Sequence, residues 1–139
     1  MSACRANREA PVFNLVLVTG PRIEVRGKQH AYSYATDGSA PNPLESTYAA
    51  LAGCAGVYAK KACREMGIDD AGIVIDMRVV AKAGQPLMPA RIVTTVEFPE
   101  RFAAEQREQV LRLIEKCAVK AMMQEGAGID FAVEEKKPQ

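Results

Sequence analysis

The feature that most constrains the fold is a long helical segment that runs from Leu44 to Met66. Pro43 suits its start, because the first N–H groups of a helix have no partner within the helix and a proline lacks that group. Gly67 follows the last helical residue, where glycine commonly ends a helix. The residues around Cys54 are mostly Ala and Gly, and such small residues let a second backbone approach closely. We therefore expect this helix to pack against another helix near Cys54.

Strand patterns lie on both sides of this helix. The remaining predicted elements are strands at residues 12–20, 22–27, 30–38, 71–84 and 90–99, a second helix at 103–126, and a closing strand at 128–136. Alternating apolar residues and glycine-containing turns indicate the strands. The resulting order, βββ-α-ββ-α-β, is typical of an α+β protein and not of a regular parallel α/β protein.

The later elements carry two more specific expectations. Pro86 and Pro89 are expected in the turn between the strands at 71–84 and 90–99, since prolines commonly mark turns. The second helix has apolar residues at i, i+3, i+4 and i+7, which is typical of an amphipathic helix with one face on the core. This stripe consists of Val110, Leu113, Ile114, Cys117 and Ala121. Cys117 is therefore expected to face the core.

Length and composition indicate one ordinary globular domain. The chain has 139 residues, a usual size for a single domain, with expected loose ends at 1–11 and 136–139. Its 18 basic and 17 acidic residues give no electrostatic reason to expect binding to nucleic acid or to an anionic membrane. The longest apolar stretch, at 48–59, is shorter than the roughly 20 residues that span a bilayer. The first residues lack the apolar core of a secretory signal, so we expect a cytoplasmic protein with reduced thiols.

The cysteines give little support for a metal site or a disulfide framework. The chain contains Cys4, Cys54, Cys63 and Cys117 and a single histidine, His30. A structural zinc site needs four convergent ligands, commonly at short spacings, so no metal site is predicted. Cys63 lies nine residues after Cys54, about 900° of helix rotation, so the two point to opposite faces. Free cysteines are often buried, and Cys54 and Cys117 are open to interpretation as core residues.

Two motifs carry a resemblance to a known family. The segment "NPLESTYAALAGCAG" (42–56) resembles the helix start and cysteine motif of the OsmC/Ohr family, the osmotically inducible and organic hydroperoxide resistance proteins. The segment "IEKCAVKAMM" (114–123) is similar to the second cysteine motif of that family, although Ala118 replaces the usual proline. The element order and the 63-residue separation of the two cysteines also agree. The resemblance extends from about residue 14 to residue 135.

The resemblance implies a fold, an activity and partners. The fold would be an intertwined homodimer, in which antiparallel sheets from both chains wrap two long central helices. The activity would be a thiol peroxidase acting on organic hydroperoxides. Cys54 would become a sulfenic acid, Cys117 would resolve it as a disulfide, and a small dithiol of the lipoyl type would reduce that disulfide. No cofactor is expected.

The resemblance also implies residues that activate the thiol. Burial raises the pKa of a thiol, so a buried nucleophile needs a partner that favours the thiolate. Arg22 occupies a position similar to that of the arginine that serves the peroxidases, while Arg26 and Lys61 are alternative cations. Glu45 would hold the arginine, but the family places its glutamate one residue earlier, where this chain has Leu44. Otherwise Glu45 is an acid in the first turn, where the helix dipole favours it.

Two other functions stay open on the sequence. The first is a non-catalytic binding or structural dimer on the same fold with an inert Cys54. The second is a sulfur-handling carrier that uses Cys54 alone. Access of a cation to Cys54 separates these interpretations from the peroxidase, because a thiol with no such partner stays protonated and reacts slowly.

Overall fold

The computed structural model describes residues 15–134. Five strands and three helices lie within this range. They are β1 (Leu15–Thr19), β2 (Arg22–Arg26), β3 (Ala31–Ala35), α1 (Pro43–Met66), β4 (Val74–Lys82), β5 (Gln85–Glu97), α2 (Ala104–Ile114) and α3 (Ala118–Glu125). The chain divides into two compact units, the first ending at Tyr48 and the second beginning at Ala49. The expected loose ends, and residues 12–14 of the first predicted strand, lie outside the described residues.

The first unit contains a three-stranded antiparallel sheet in the order β1-β2-β3. Thr19 pairs with Arg22, and Arg26 pairs with Ala31, so each strand returns directly beside the previous one. The tight turn between β1 and β2 has Gly20 at a φ of 58°, a left-handed conformation that glycine adopts without a steric penalty. The three strands predicted before the long helix are confirmed.

Local signals at both ends fix the bounds of α1. The Asn42 side chain caps the start, its Oδ1 accepting a hydrogen bond from the Leu44 N–H at 2.8 Å. At the other end, the Ile68 N–H donates to the Cys63 carbonyl at 3.0 Å, and the Gly67 N–H donates to the Arg64 carbonyl at 3.1 Å. This pair of bonds, with Gly67 in the left-handed region, is the usual glycine C-cap. The predicted helix is confirmed to within one residue.

The core of the second unit lies between the C-terminal half of α1 and α2. Its buried members are Ala59, Ala62, Cys63, Phe102, Val110 and Leu113. Partly buried apolar residues from α1, α2, β4 and the connecting segments pack against this cluster. The predicted stripe of the second helix therefore faces the core at Val110 and Leu113, as periodicity requires.

The predicted turn at Pro86 and Pro89 is wrong. Both prolines lie inside β5, and the chain reverses before them, at Gly84, which has a φ of 73°. The β4–β5 ladder has register shifts on both sides of Ala81, which pairs with Pro89. Prolines lack a donor for the sheet ladder, and such irregular positions tolerate them. The two prolines therefore lie at or near an irregular part of the ladder and not at the point where the chain turns.

The predicted helix at 103–126 is also wrong, because two helices occupy this range. α2 ends at Ile114, and the N–H groups of Lys116 and Cys117 bond to carbonyls three residues earlier, each at 3.0 Å. Such bonds form a tighter turn than the α-helix. Cys117 then adopts a φ of −52° and a ψ of 125°, which stops the helix before α3 begins at Ala118. Apolar periodicity identifies the buried face, but it does not reveal a one-turn interruption.

The closing strand predicted at 128–136 is not formed within residues 128–134, and residues 135–136 lie outside the described range. Ile129, Phe131 and Val133 alternate as in a strand but are 77%, 94% and 93% exposed. A strand needs a hydrogen-bonded neighbour, which this segment does not have among the described residues. The order is therefore βββ-α-ββ-α-α, still an α+β arrangement of small antiparallel sheets and three helices.

Candidate active site

The two cysteines that the sequence singles out meet in the second unit. Cys54 lies in the middle of α1 and is half-buried, whereas Cys117 precedes α3 and is only 2% exposed. Both are free thiols, and the Cys117 S–H donates a hydrogen bond to the Cys54 sulfur. Cys117 is thus buried as predicted.

The interruption between α2 and α3 places a helix start against Cys54. The backbone N–H groups of Ala118 and Val119 also donate hydrogen bonds to the Cys54 sulfur. They are the first two residues of α3, and the N–H groups at this end of a helix have no partner within the helix. The aligned peptide dipoles make the same end partly positive. This environment favours a negatively charged sulfur at Cys54.

The surroundings separate the acidities of the two thiols. Burial alone would raise the pKa of Cys54, but the hydrogen bonds from Cys117, Val119 and Ala118 outweigh burial and bring this pKa below its ordinary value. Burial and the hydrogen bond donated to Cys54 raise the pKa of Cys117 above its ordinary value. As the pH rises, Cys54 therefore loses its proton first. Since the thiolate is the reactive form of cysteine, these directions favour Cys54 over Cys117 as the more reactive thiol of the pair.

Arg22 and Glu45 lie in the first unit, while the cysteine pair lies in the second. Arg22 begins β2 and is exposed. Hydrogen bonds from Ser39 mainly lower the pKa of the Asp37 carboxyl, and the charge of Arg22 contributes less. Glu45 is an exposed acid in the first turn of α1. The role of both residues toward Cys54 stays a prediction.

The two alternative cations have partners of their own. Arg26 donates to Glu24 at 2.8 Å, within the same strand. The Lys61 ammonium lies 5.9 Å from the centre of the Tyr58 ring, within the range of a cation–π contact. Each of these charges is therefore already engaged by a neighbour along the chain.

A family comparison identifies the chain. The model of the OsmC-like protein family matches residues 36–132, a segment that includes both cysteines. The chain belongs to the OsmC-like protein family. A crystal structure of a Psychrobacter arcticus 273-4 protein, named for osmotic stress induction and a detoxification response, is similar with a TM-score of 0.67. The match covers 82% of this chain and 88% of that chain at 18% identity, which shows a shared fold. A search of curated proteins found no match.

The groups of this OsmC-like chain that lower the pKa of Cys54 and that the sequence did not predict include two backbone N–H groups. Neither Ala118 nor Val119 has a side chain that suggests chemistry, and only cations were expected to favour the thiolate. One signal was available, because Ala118 stands where the resembled motif usually has proline. Alanine keeps the N–H that proline lacks, and this N–H is one of the donors to Cys54.

Other features of the OsmC-like chain do not add to this site. Among residues 15–134, no group of three or more His, Cys, Asp or Glu side chains is arranged to hold a metal ion. No helix in that range is both long and apolar enough to cross a membrane. A cavity of about 220 Å³ lies beside Arg101 and Phe102 in the second unit. The Arg101 guanidinium there donates to the carbonyl oxygens of Asp69 and Ala71.

Proposed function

We propose that this OsmC-like protein is a thiol-dependent peroxidase that reduces organic hydroperoxides. The observation that carries the proposal is the hydrogen-bonded contact between Cys54 and Cys117, in which Cys54 is the more acidic thiol. Membership of the OsmC-like family agrees with peroxide chemistry at the level of the family. The name of the structural neighbour, which refers to detoxification, agrees with it as well.

In the first step, the Cys54 thiolate attacks one oxygen of the hydroperoxide. A sulfur–oxygen bond forms as the oxygen–oxygen bond breaks, and the alkoxide takes up a proton and leaves as an alcohol. The sulfur is oxidised by two electrons to a sulfenic acid, while the peroxide is reduced by the same two. The half-buried position of Cys54 leaves part of the thiol accessible to a substrate.

In the second step, the Cys117 sulfur attacks the Cys54 sulfenic acid. A disulfide forms, and the sulfenic oxygen leaves as water. The existing contact between the two thiols supports this step, because no long approach is needed. A small dithiol, of the lipoyl type, then restores both thiols by two exchange reactions and is itself oxidised to a disulfide.

We further propose that Arg22 supplies a positive charge near the thiolate and that Glu45 orients it. Both residues stand close to the positions that the family resemblance assigns to these roles. The test compares Arg22→Ala with Arg26→Ala, which removes an arginine already paired with Glu24. We expect only Arg22→Ala to slow the oxidation of Cys54. Equal rates in the two variants would exclude Arg22 from the site.

The proposed assembly is a homodimer formed along α1. A Cβ atom added at Gly53 or Gly56 would meet no heavy atom within 4 Å, so the close approach expected for these residues is not provided by the described chain. Val57, on the same helix, is 62% exposed. A second copy of the chain would cover these residues and could also pair with the unpaired segment at 129–133. Small residues at such a contact let two backbones approach closely.

The dimer is tested with Gly53→Arg. This change favours the helix and meets no neighbour in its own chain, so a monomer should tolerate it. We expect it to halve the mass measured by sedimentation, while Glu108→Arg, on an exposed position of α2, leaves the mass unchanged. A wild-type protein that sediments as a monomer at all concentrations would contradict the assembly.

The peroxidase proposal is tested by counting thiols after one equivalent of cumene hydroperoxide. The reduced protein is compared with Cys54→Ser and Cys117→Ser, and linked peptides are identified by mass. We expect rapid loss of two thiols and a peptide that joins Cys54 to Cys117. Cys117→Ser should stop at an oxidised Cys54, and Cys54→Ser should keep its thiols. Survival of all four thiols in the wild type would overturn the peroxidase and favour the binding dimer with an inert Cys54.

A further inference from the structure

We infer that the end of the β4–β5 hairpin is a docking surface for an anionic lipid membrane. This surface, the hairpin end, consists of Arg78, Val80, Lys82, Leu87, Met88 and Arg91. It lies in the second unit and does not include the cysteines. The inference goes beyond the peroxidase and does not depend on peroxide chemistry. It requires no helix that spans a membrane, because the hairpin would lie in the plane of the lipid headgroups.

The first observation concerns the face of the hairpin that points away from the core. Successive side chains of a strand point to opposite faces of a sheet. Ile75 packs against the core cluster, so Arg78 and Val80, three and five residues later, belong to the other face. Arg91 pairs with Val80 across the ladder and shares that face. Val80 is 52% exposed and both arginines are exposed, so apolar and basic side chains meet the solvent side by side.

The second observation is an apolar pair close to the turn of the hairpin. Leu87 and Met88 are 71% and 49% exposed. They stand between Pro86 and Pro89, where the ladder is irregular. A proline lacks the N–H with which a further strand would pair, so this stretch is a poor template for an added strand. A partner that takes up the side chains and leaves the backbone unpaired fits it better.

The third observation is an uneven distribution of charge. The whole chain has 18 basic and 17 acidic residues, yet residues 77–96 contain three basic residues and no acidic one. The charged groups of Lys82 and Arg91 form no ion pair among the described residues. Arg78 is only loosely paired, with its Nε 3.8 Å from a carboxylate oxygen of Asp76. The hairpin end therefore favours an anionic partner.

A lipid surface satisfies both the apolar and the basic side chains. Leu87 and Met88 gain free energy where they leave water, and acyl chains provide such a place. Lysine and arginine keep their charged heads at the phosphates while their stems lie along apolar groups. A nucleic acid would give the aliphatic side chains no apolar environment, and residues 77–96 contain no aromatic side chain for stacking on bases. A second copy of the hairpin end would oppose like charges.

The test is co-sedimentation of the protein with vesicles of phosphatidylcholine and phosphatidylglycerol, compared with vesicles of phosphatidylcholine alone. We expect binding to the anionic vesicles that weakens as the salt concentration rises. Lys82→Gln combined with Arg91→Gln should weaken this binding about fivefold for each charge removed. Leu87→Ser combined with Met88→Ser should weaken it about tenfold or more, because less apolar area leaves water. All four side chains are exposed, so the variants should fold as the wild type does.

A fluorescence measurement separates insertion from adsorption. The chain contains no tryptophan, so Met88→Trp introduces a single reporter. On anionic vesicles we expect its emission to move to shorter wavelength, as the indole enters an apolar environment. Leu111→Trp, at a 42% exposed position of α2, should show no such shift. The matched control for co-sedimentation is Leu111→Ser combined with Arg112→Gln, which removes an exposed apolar and an exposed basic side chain and should bind as the wild type does.

A wild-type protein that does not sediment with anionic vesicles at low salt would overturn the inference. Binding without an emission shift in Met88→Trp would overturn it as well, because charge alone would then account for the adsorption. An equal loss of binding in the α2 control would remove the hairpin end as the docking surface. None of these measurements uses a peroxide or a reductant. The thiol count with cumene hydroperoxide therefore succeeds or fails independently of them.

Discussion

Cys54 and Cys63 lie nine residues apart on α1 and have opposite chemical environments. Cys54 is half-buried and accepts hydrogen bonds at the start of α3, which bring its pKa below the ordinary value against the effect of burial. Cys63 is 1% exposed in the core, and burial, supported by the negative charge of Asp70, raises its pKa. The pKa of the same side chain on the same helix is therefore lowered at one position and raised at the other.

The difference shows that burial alone does not decide the state of a thiol in this protein. Desolvation acts on both residues and favours the neutral form of each. Cys54 differs because oriented donors replace the water that it loses. Cys63 lies instead among apolar side chains such as Phe102 and Val110. The helix rotation between Cys54 and Cys63 along α1 directs the two thiols to these different surroundings.

Substituting Cys54 and Cys63 one at a time gives the largest expected difference in activity. Cys54→Ser should lower the consumption of cumene hydroperoxide by about 10³-fold or more, as expected when an enzyme loses its nucleophile. Cys63→Ala should leave the rate within about twofold, because a buried core thiol serves packing. The measurement is the initial rate of peroxide loss with a dithiol reductant. A large loss in Cys63→Ala at unchanged stability would mean that both thiols take part.

The core around Cys63 should instead control stability. Phe102 is 3% exposed and packs against Phe98, with the ring planes tilted by 49° and the ring centres 5.4 Å apart. Phe102→Ala leaves a cavity and should lower the free energy of unfolding by about 3–5 kcal/mol, measured by urea denaturation. It should also make Cys63 accessible to alkylation through more frequent opening of the core. Leu111→Ala, at a 42% exposed position of α2, is the control and should cost much less.

The contrast between the cysteines could be predicted only in part from the sequence. The orientation of Cys63 away from Cys54 follows from helical periodicity. The bounds of α1 follow from Pro43 and Gly67, since such residues act on their own neighbours in the chain. These features are local, and the structure confirms them.

The remaining features depend on distant parts of the chain. The break that places Ala118 at Cys54 occurs inside a continuous apolar pattern, so periodicity gives no sign of it. Pro89 is tolerated in β5 because of a register shift that involves the facing strand. The segment around Phe131 has a strand pattern, but a strand forms only where a neighbour is available. The cysteine pairing came from the family resemblance, whereas the donors to Cys54 became visible only in three dimensions.

The two thiols should also have opposite effects on the pH dependence of stability. The raised pKa of Cys63 gives stability that is complete below the pKa of an unfolded cysteine, about 8.5, and is lost as the pH rises through the folded value. The lowered pKa of Cys54 gives stability that is present above the unfolded value and lost as the pH falls through the folded value. Above about pH 8.5, Cys63→Ala should therefore flatten the decline in stability, by up to about 1.4 kcal/mol per pH unit.

Urea unfolding of Cys63→Ala and Cys54→Ala between pH 7 and pH 9.5 measures these slopes. Protein concentration is held constant and a reductant is present, because dimerisation and oxidation both change apparent stability. The slope of each variant is compared with the slope of the wild type. All three proteins share the same lysines and tyrosines, so the titration of these groups cancels in the comparison. Equal slopes in the two variants would contradict the opposite environments assigned to the two thiols.

The smallest expected effect concerns the hydrogen bond that distinguishes Cys54 most directly from Cys63. Cys117→Ala removes the S–H donor, whereas Cys117→Ser keeps a donor of similar size in its place. Neither variant can form the disulfide, so any difference between them reports the hydrogen bond and not the redox cycle. In Cys117→Ala the pKa of Cys54 should rise, which moves the inflection of its iodoacetamide alkylation to higher pH. At pH 7 the rate should fall about two- to fivefold, since a net hydrogen bond is worth about 0.5–1.5 kcal/mol.

Cys117→Ser should stay closer to the wild type, because a hydroxyl donates to a thiolate as a thiol does. Cys63 serves as the internal control in both variants, since its burial in the core does not involve Cys117 and it should stay unreactive throughout. If Cys117→Ala and Cys117→Ser gave the same profile as the wild type, the S–H would contribute nothing, and the N–H groups of α3 would have to account for the lowered pKa of Cys54 alone. Serine preserves the donor of Cys117 but not the size of its thiol. If both variants shifted the alkylation profile of Cys54 equally, the thiol of Cys117 would therefore act by filling space beside Cys54.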